Sequence, residues 1–224
     1  MKTVDRITDL EEKTRDRILG PLLLFLFPPW IKPNHITFSR LLLVCLAIVF
    51  YFARSPLEYQ TWILVIAAVT DFIDGILARA RRQFSRTGAY LDHATDWFLG
   101  AWSGVLALIK GLLPTLFIIL IVVPQLGVII IDRLRASRIA VKGKTERALT
   151  ITMGAANFRP SSFNRLEFFL ILLGFFLLLF GSAWTSPKLQ KVGTGFLYAA
   201  ALLAWYLLGE GIVRLAGENR SKDS

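Results

Sequence analysis

The stretch from Asp71 to Asp96, DFIDGILARARRQFSRTGAYLDHATD, decides how this chain is read, because four carboxylates stand there between segments composed for lipid. Asp71, Asp74 and Ala78 fall at i, i+3 and i+7, and Gly88, Asp92 and Asp96 at i, i+4 and i+8, so each set lines one helical face. A turn over Arg81 to Thr87 would join the two faces and bring the four carboxylates together. A carboxylate inside a membrane helix costs roughly 2.5–3.5 kcal/mol, and four in one place repel, so a cationic or aqueous counterpart is required. Gly75 and Gly88 mark close approach by a ligand or a neighbouring backbone, and Ala78 leaves room in the same way. Arg79 offers a planar donor fork suited to a diphosphate.

Around this stretch the chain is apolar: 54% of its 224 residues are hydrophobic and the mean hydropathy is +0.55. That composition excludes an ordinary soluble domain, and the length suits one membrane bundle, so residues 1–224 are expected to form a single domain. The formal charge is 26 minus 16, or +10, which in such a chain means positive-inside loops and contact with anionic lipid. No recognition motif accompanies the charge, so no nucleic acid is expected as a partner. The lone cysteine, Cys45, lies in an apolar run, cannot close an intrachain disulfide and is expected to be a small core residue. The acidic start has no short apolar core with a cleavage site, so no removable signal peptide is expected.

The expected fold is all-α, an integral membrane bundle of six transmembrane helices over residues 36–215, with an interfacial amphipathic helix within residues 1–30, for which a cytosolic helix packing on the bundle is the other reading because the apolar stripe before residue 18 is thin. The first span follows Pro33 and plausible caps in Asn34 to Thr37, and runs over about residues 36 to 53. Arg40 lies one turn inside it, either snorkelling to the interface or meeting a substrate phosphate, and His35 at the helix start reads as structural. The second span, Thr61 to Arg79, carries Asp71 and Asp74 in its last turns; the third starts near Gly88 with Asp92 and Asp96 and continues apolar to Ile109. Leu112 to Ile131 has no charge and is the clearest span, with Pro124 expected to kink it. A basic loop, Asp132 to Arg165, precedes two more spans, mostly Phe168 to Phe180 and Val192 to Leu208, and a frayed tail, ENRSKDS. The arginines of the 79–88 and 132–165 loops place the acidic cluster and both termini on the cytosolic side.

An all-carboxylate site selects hard cations such as Mg²⁺ or Mn²⁺ over zinc or copper, and His93, although adjacent to Asp92, projects from another helical face. Metal held among aspartates with arginines alongside is equipment for phosphoryl chemistry, where one carboxylate accepts a proton from an attacking hydroxyl. A divalent-cation transporter, with the aspartates as its path, is the alternative. It leaves Gly75, Ala78, Arg79 and Gly88 without a reason for their spacing.

The stretch resembles the signature of the CDP-alcohol phosphotransferases, Asp-x-x-Asp-Gly-x-x-Ala-Arg-x8-Gly-x3-Asp-x3-Asp, with all eight fixed positions present in Asp71, Asp74, Gly75, Ala78, Arg79, Gly88, Asp92 and Asp96. The Pro33-Asn34-x-x-Thr37 start is also similar to that family. The resemblance implies a homodimeric enzyme of the cytoplasmic membrane of a bacterium or archaeon, displacing CMP from CDP-diacylglycerol, or a related CDP-lipid, with the hydroxyl of a small polar alcohol. By motif position, Asp71, Asp74, Asp92 and Asp96 would hold two divalent ions, with Asp96 as general base. Asp71, Asp74, Gly75, Ala78, Arg79 and Gly88 would accommodate the cytidine diphosphate. Arg133, Arg135 and Arg138, followed by Lys144 and Arg147, resemble the region where members with phosphorylated acceptors, such as glycerol 3-phosphate or inositol phosphate, bind the acceptor phosphate. A plain positive-inside loop is the other account of these five residues.

Overall fold

The computed structural model describes residues 17–81, 83, 86–142 and 162–220. Among the described residues the chain is all helical. Helix α1 spans Arg17–Leu26, α2 Pro33–Phe52, α3 Leu57–Arg81, α4 Arg86–Ile109, α5 Thr115–Lys142, α6 Ser162–Ala183 and α7 Pro187–Arg220. By length and composition four of them can cross a membrane: α2, α3, and the stretches Phe163–Ala183 of α6 and Pro187–Val213 of α7. Large apolar side chains such as Phe25, Leu116 and Leu202 are exposed around the outside, a surface that belongs in hydrocarbon rather than water. The chain is a multi-pass membrane protein. Cys45 is on this outer surface and not in the core, because it shares a helix face with exposed Leu42, Leu46 and Val49 while Val44 and Ala47 turn inward.

Local chemistry accounts for the helix ends. Pro33 stands in the first turn of α2, where a missing N–H costs nothing, and the His35 imidazole accepts the Lys32 backbone N–H at 3.4 Å. At the far end of the bundle three helices stop in the same way. The N–H groups of Ser55, Leu112 and Ser186 bond back to the carbonyls of Phe50, Ala107 and Gly181, with Arg54, Gly111 and Thr185 in the left-handed region at φ 55, 67 and 51. Such terminators favour glycine, and only Gly111 supplies it.

Helices α6 and α7 form the tightest pair, joined by the short turn Trp184–Ser186 rather than the expected loop Gly181–Lys191. Their backbones approach through Gly174, Gly181 and Gly193: a Cβ on Gly193 would lie 2.7 Å from both the Gly174 carbonyl oxygen and the Leu178 nitrogen. Gly193→Ala is therefore expected to cost about 1–3 kcal/mol as a lowered thermal midpoint of the purified protein. Gly195→Ala, two residues away with open space around it, serves as the neutral comparison. Equal midpoints for the two variants would remove the close-packing account.

Pro124 sits inside α5, where it leaves the carbonyl of Leu120 without its helical partner. The Trp205 indole N–H from α7 donates to that carbonyl at 3.1 Å, so a potential break becomes a link between helices. Other expected boundaries move too, and α6 begins at Ser162, inside the expected basic loop. The basic stretch after residue 131 is not all loop, since α5 continues to Lys142; arginine, alanine and lysine keep good helix propensity after hydropathy has fallen. The tail is helical to Arg220.

Helix α1 docks by Leu23 against Ile36 of α2 and Ile76 and Leu77 of α3. Arg81, at the end of α3, fixes the linker after α1 by donating to the carbonyls of Phe27, Pro28 and Ile31. One expected loop cation is thus a structural clamp. The opposite side of α1 exposes Leu22, Phe25 and Leu26.

Candidate active site

Three helices contribute to the acidic cluster. Helix α2 passes beside the end of α3 and the start of α4, so its first turns face Asp71 and Asp74 on one neighbour and Asp92 and Asp96 on the other. One carboxylate oxygen from each of Asp71, Asp74 and Asp92 can be chosen so that all three lie within 4.8 Å of one another. The i, i+3 and i, i+4 spacings thus converge across a helix pair as the periodicity predicts.

The cluster is organised by a residue whose partners the sequence left open. Arg40 is fully buried, and it neither snorkels nor stands ready for a phosphate. Its Nη2 meets Asp71 Oδ1 at 2.7 Å, Asp74 Oδ2 at 2.7 Å and Asp92 Oδ1 at 3.0 Å, while Nη1 meets Asp96 Oδ1 at 2.6 Å. One guanidinium thus binds all four acids. The signal was present in charge balance, since four acids in apolar surroundings need a cation and Arg40 is the only arginine or lysine of α2. What the sequence could not supply was the distance from α2 to the other two helices.

Thr37 was also read only as part of a helix start. Its hydroxyl donates to Asp74 Oδ2 at 2.7 Å and lies 3.3 Å from the Pro33 carbonyl. Asp74 is consequently the deepest and most constrained of the acids, with its side chain 6% exposed against 39% for Asp71 and 45% for Asp92. The site therefore has a closed floor at Asp74 and an open rim at Asp71 and Asp92. Asp96 is tied to the others through Arg40 and does not belong to the close trio.

The other predicted site residues fall as follows. A Cβ on Gly75 would lie 3.6 Å from an Arg79 guanidinium nitrogen, so the Arg79 head group lies along Gly75 beside the acids. Ala78 and Gly88 are half-buried on the same two helices. His93 is exposed and its ring packs edge-on towards Trp97 at 6.4 Å, apart from the cluster. Arg133, Arg135 and Arg138 lie on the helical extension of α5. Lys144 and Arg147 lie outside the described residues, as do residues 1–16 of the expected N-terminal helix.

The trio fits a hard divalent cation. All its donors are carboxylate oxygens, no imidazole or thiolate competes, and the Nη2 of Arg40 already shows that one cationic group can contact all three acids at once. Four aspartates and one arginine carry a formal −3, from −4 plus 1, so the cluster still has charge for further cations.

Comparison with known proteins agrees with this chemistry. A CDP-diacylglycerol--glycerol-3-phosphate 3-phosphatidyltransferase of Salmonella choleraesuis is 43% identical over 77 residues, covering 33% of this chain and 42% of that protein. The protein of that name from Cereibacter sphaeroides is 40% identical over 72 residues, 30% of this chain and 32% of its own. A CDP-diacylglycerol--inositol 3-phosphatidyltransferase of Drosophila melanogaster is 39% identical over 64 residues, 29% and 28% of the two chains. The chain thus matches less than half the length of each of these curated relatives. No solved structure matches. A model of the CDP-alcohol phosphatidyltransferase family matches residues 30–216, and nothing in that match favours cation transport. Because the matched region runs from just before α2 almost to the end of α7 and encloses Arg40 and all four aspartates, the chain belongs to the CDP-alcohol phosphatidyltransferase family.

Proposed function

We propose that this protein transfers a phosphatidyl group from CDP-diacylglycerol, or a related CDP-lipid, to a hydroxyl of a small polar alcohol and releases CMP. The observation that carries the proposal is the convergence of Asp71, Asp74 and Asp92 in one cluster on the family's signature positions. Mg²⁺ or Mn²⁺ bound by these acids would screen the diphosphate charge and make the CMP phosphate a better leaving group. Asp96 takes the proton of the attacking hydroxyl, Arg79 binds the diphosphate beside Gly75, and the small residues Gly75, Ala78 and Gly88 leave space for the nucleotide.

The names of the relatives make glycerol 3-phosphate and inositol, or its phosphate, the acceptors to try first. Arg133, Arg135 and Arg138 on α5, with Lys144 and Arg147 beyond it, are the proposed acceptor-phosphate residues. In the proposed topology α2 to α7 are six spans, α1 lies in the interface with Leu22, Phe25 and Leu26 towards lipid, and the acidic end faces the cytosol of a bacterium or archaeon. At 24 residues α4 is about 36 Å long, enough to span despite its acidic start. Residues 1–224 act as one domain, and the working form is a homodimer.

The test is CMP release by the purified protein from CDP-diacylglycerol. Release is expected only with Mg²⁺ or Mn²⁺ and only with the right alcohol, and an acceptor that is phosphorylated should outperform its unphosphorylated form. Metal-independent CMP release, or metal flux through proteoliposomes without any nucleotide dependence, would sink the proposal.

A further inference from the structure

We propose that the end of the bundle opposite the acids holds a binding site for the headgroup of an anionic phospholipid that carries hydroxyl groups. The site is a cavity of about 400 Å³ between the α2–α3 turn and the α4–α5 turn, lined by Tyr51, Phe52, Arg54, Ser55, Gln60 and Lys110. Gln60 precedes Asp74 on α3 by about four turns, or about 21 Å, so the cavity is at the other membrane interface and shares nothing with the catalytic cluster.

Its chemistry is specific. Arg54 and Lys110 bring two positive charges, neither has an ion-pair partner among the described residues, and no lining residue is acidic. Arg54 stands at φ 55, a backbone position that favours glycine, so the chain carries a strained arginine where a smaller residue would end the helix more easily. Gln60 is 1% exposed; its Nε2 donates to the Ser55 carbonyl at 2.8 Å, while its Oε1 is buried with no hydrogen-bond partner. A buried acceptor left unpaired is costly unless a ligand supplies the donor. The walls therefore ask for an anion beside a hydroxyl. The volume suits a headgroup rather than a whole lipid.

Two sources could present that chemistry, a lipid or a soluble polyol phosphate. The setting favours the lipid: Val49, Phe52 and Tyr59, on the two helices that frame the cavity, are 60%, 75% and 60% exposed, an apolar and aromatic surface on which acyl chains can lie. The phosphodiester would bridge Arg54 and Lys110, a headgroup hydroxyl would donate to Gln60 Oε1, and the chains would run down past Phe52.

The test uses the full chain in detergent with three probes: dioleoylphosphatidylglycerol, dioleoylphosphatidylmethanol, which is anionic but has no headgroup hydroxyl, and dioleoylphosphatidylcholine. Hydrogen exchange in peptides covering residues 51–60 and 108–113 reads binding at the cavity itself, apart from lipid held by the basic loops. Phosphatidylglycerol is expected to slow exchange there at roughly tenfold lower concentration than phosphatidylcholine, the difference one good polar contact set makes. In the double variant Arg54→Gly, Lys110→Ser that local protection should vanish, and the glycine suits φ 55 so the turn keeps its shape. Gln60→Met should lose the preference for phosphatidylglycerol over phosphatidylmethanol and keep the preference for anions. Protection by phosphatidylglycerol that persists in the double variant, or that arises only elsewhere in the chain, overturns the site. Equal protection by glycerophosphoglycerol without lipid overturns the lipid as its occupant.

Discussion

Asp96→Asn is expected to lower kcat for CMP release by roughly 10²- to 10⁴-fold, the usual worth of a positioned general base, while metal binding survives. The expectation follows from where Asp96 stands. Asp71, Asp74 and Asp92 form the close trio, and Asp96 stands outside it, joined to the same guanidinium through the Nη1 of Arg40 at 2.6 Å. Asparagine still offers that nitrogen an acceptor oxygen, so the local geometry is retained while the proton acceptor is lost. Asp74→Asn should behave differently, because Asp74 is the buried floor of the trio and accepts from both Thr37 and Arg40. There Mn²⁺ binding itself should weaken, followed in parallel by electron paramagnetic resonance and by CMP release. Full turnover by Asp96→Asn removes it as the base, and loss of Mn²⁺ in Asp96→Asn gives it the metal-ligand role that the signature resemblance also implies.

The contrast between these two acids separates what the sequence could say from what it could not. Spacing alone brought Asp71 with Asp74, and Asp92 with Asp96, onto shared faces, since helical periodicity is a local property. Apolar length likewise announced α2 and α6, and Pro33 announced the start of α2. Distances between helices are set by packing, which is why Arg40 and Thr37 were not recognised as the acids' partners. Hydropathy also hid the helical extension of α5 to Lys142 and the role of Arg81 as a clamp, because a charged residue reads as loop until its partners are known. The turns at Arg54 and Thr185 were illegible for a related reason: the left-handed terminator usually declares itself by glycine, and here only Gly111 does.

Arg40→Gln is expected to have the largest effect on the metal-free protein and an opposite effect on metal affinity. In the absence of metal the four carboxylates share this guanidinium, and its removal leaves buried Asp74 unpaired with the partly exposed Asp71, Asp92 and Asp96 facing it. Breaking the buried Arg40–Asp74 pair in this way costs about 3–5 kcal/mol, so the thermal midpoint in chelator should fall steeply. Asp71 Oδ1, Asp74 Oδ2 and Asp92 Oδ1, the oxygens that Nη2 occupies, are among those a divalent ion would need. Metal and arginine then compete for one position, and the variant should bind Mn²⁺ more tightly, with a larger rise in midpoint on adding it. Arg40→Lys is the informative companion, because a single ammonium keeps the charge but cannot span Asp96 and the trio as two nitrogens of a fork do. It should recover part of the stability in chelator and part of the competition with Mn²⁺. Weaker Mn²⁺ binding in Arg40→Gln would show instead that Arg40 holds the acids in place for the metal, with the ion using the carboxylate oxygens that Arg40 leaves free.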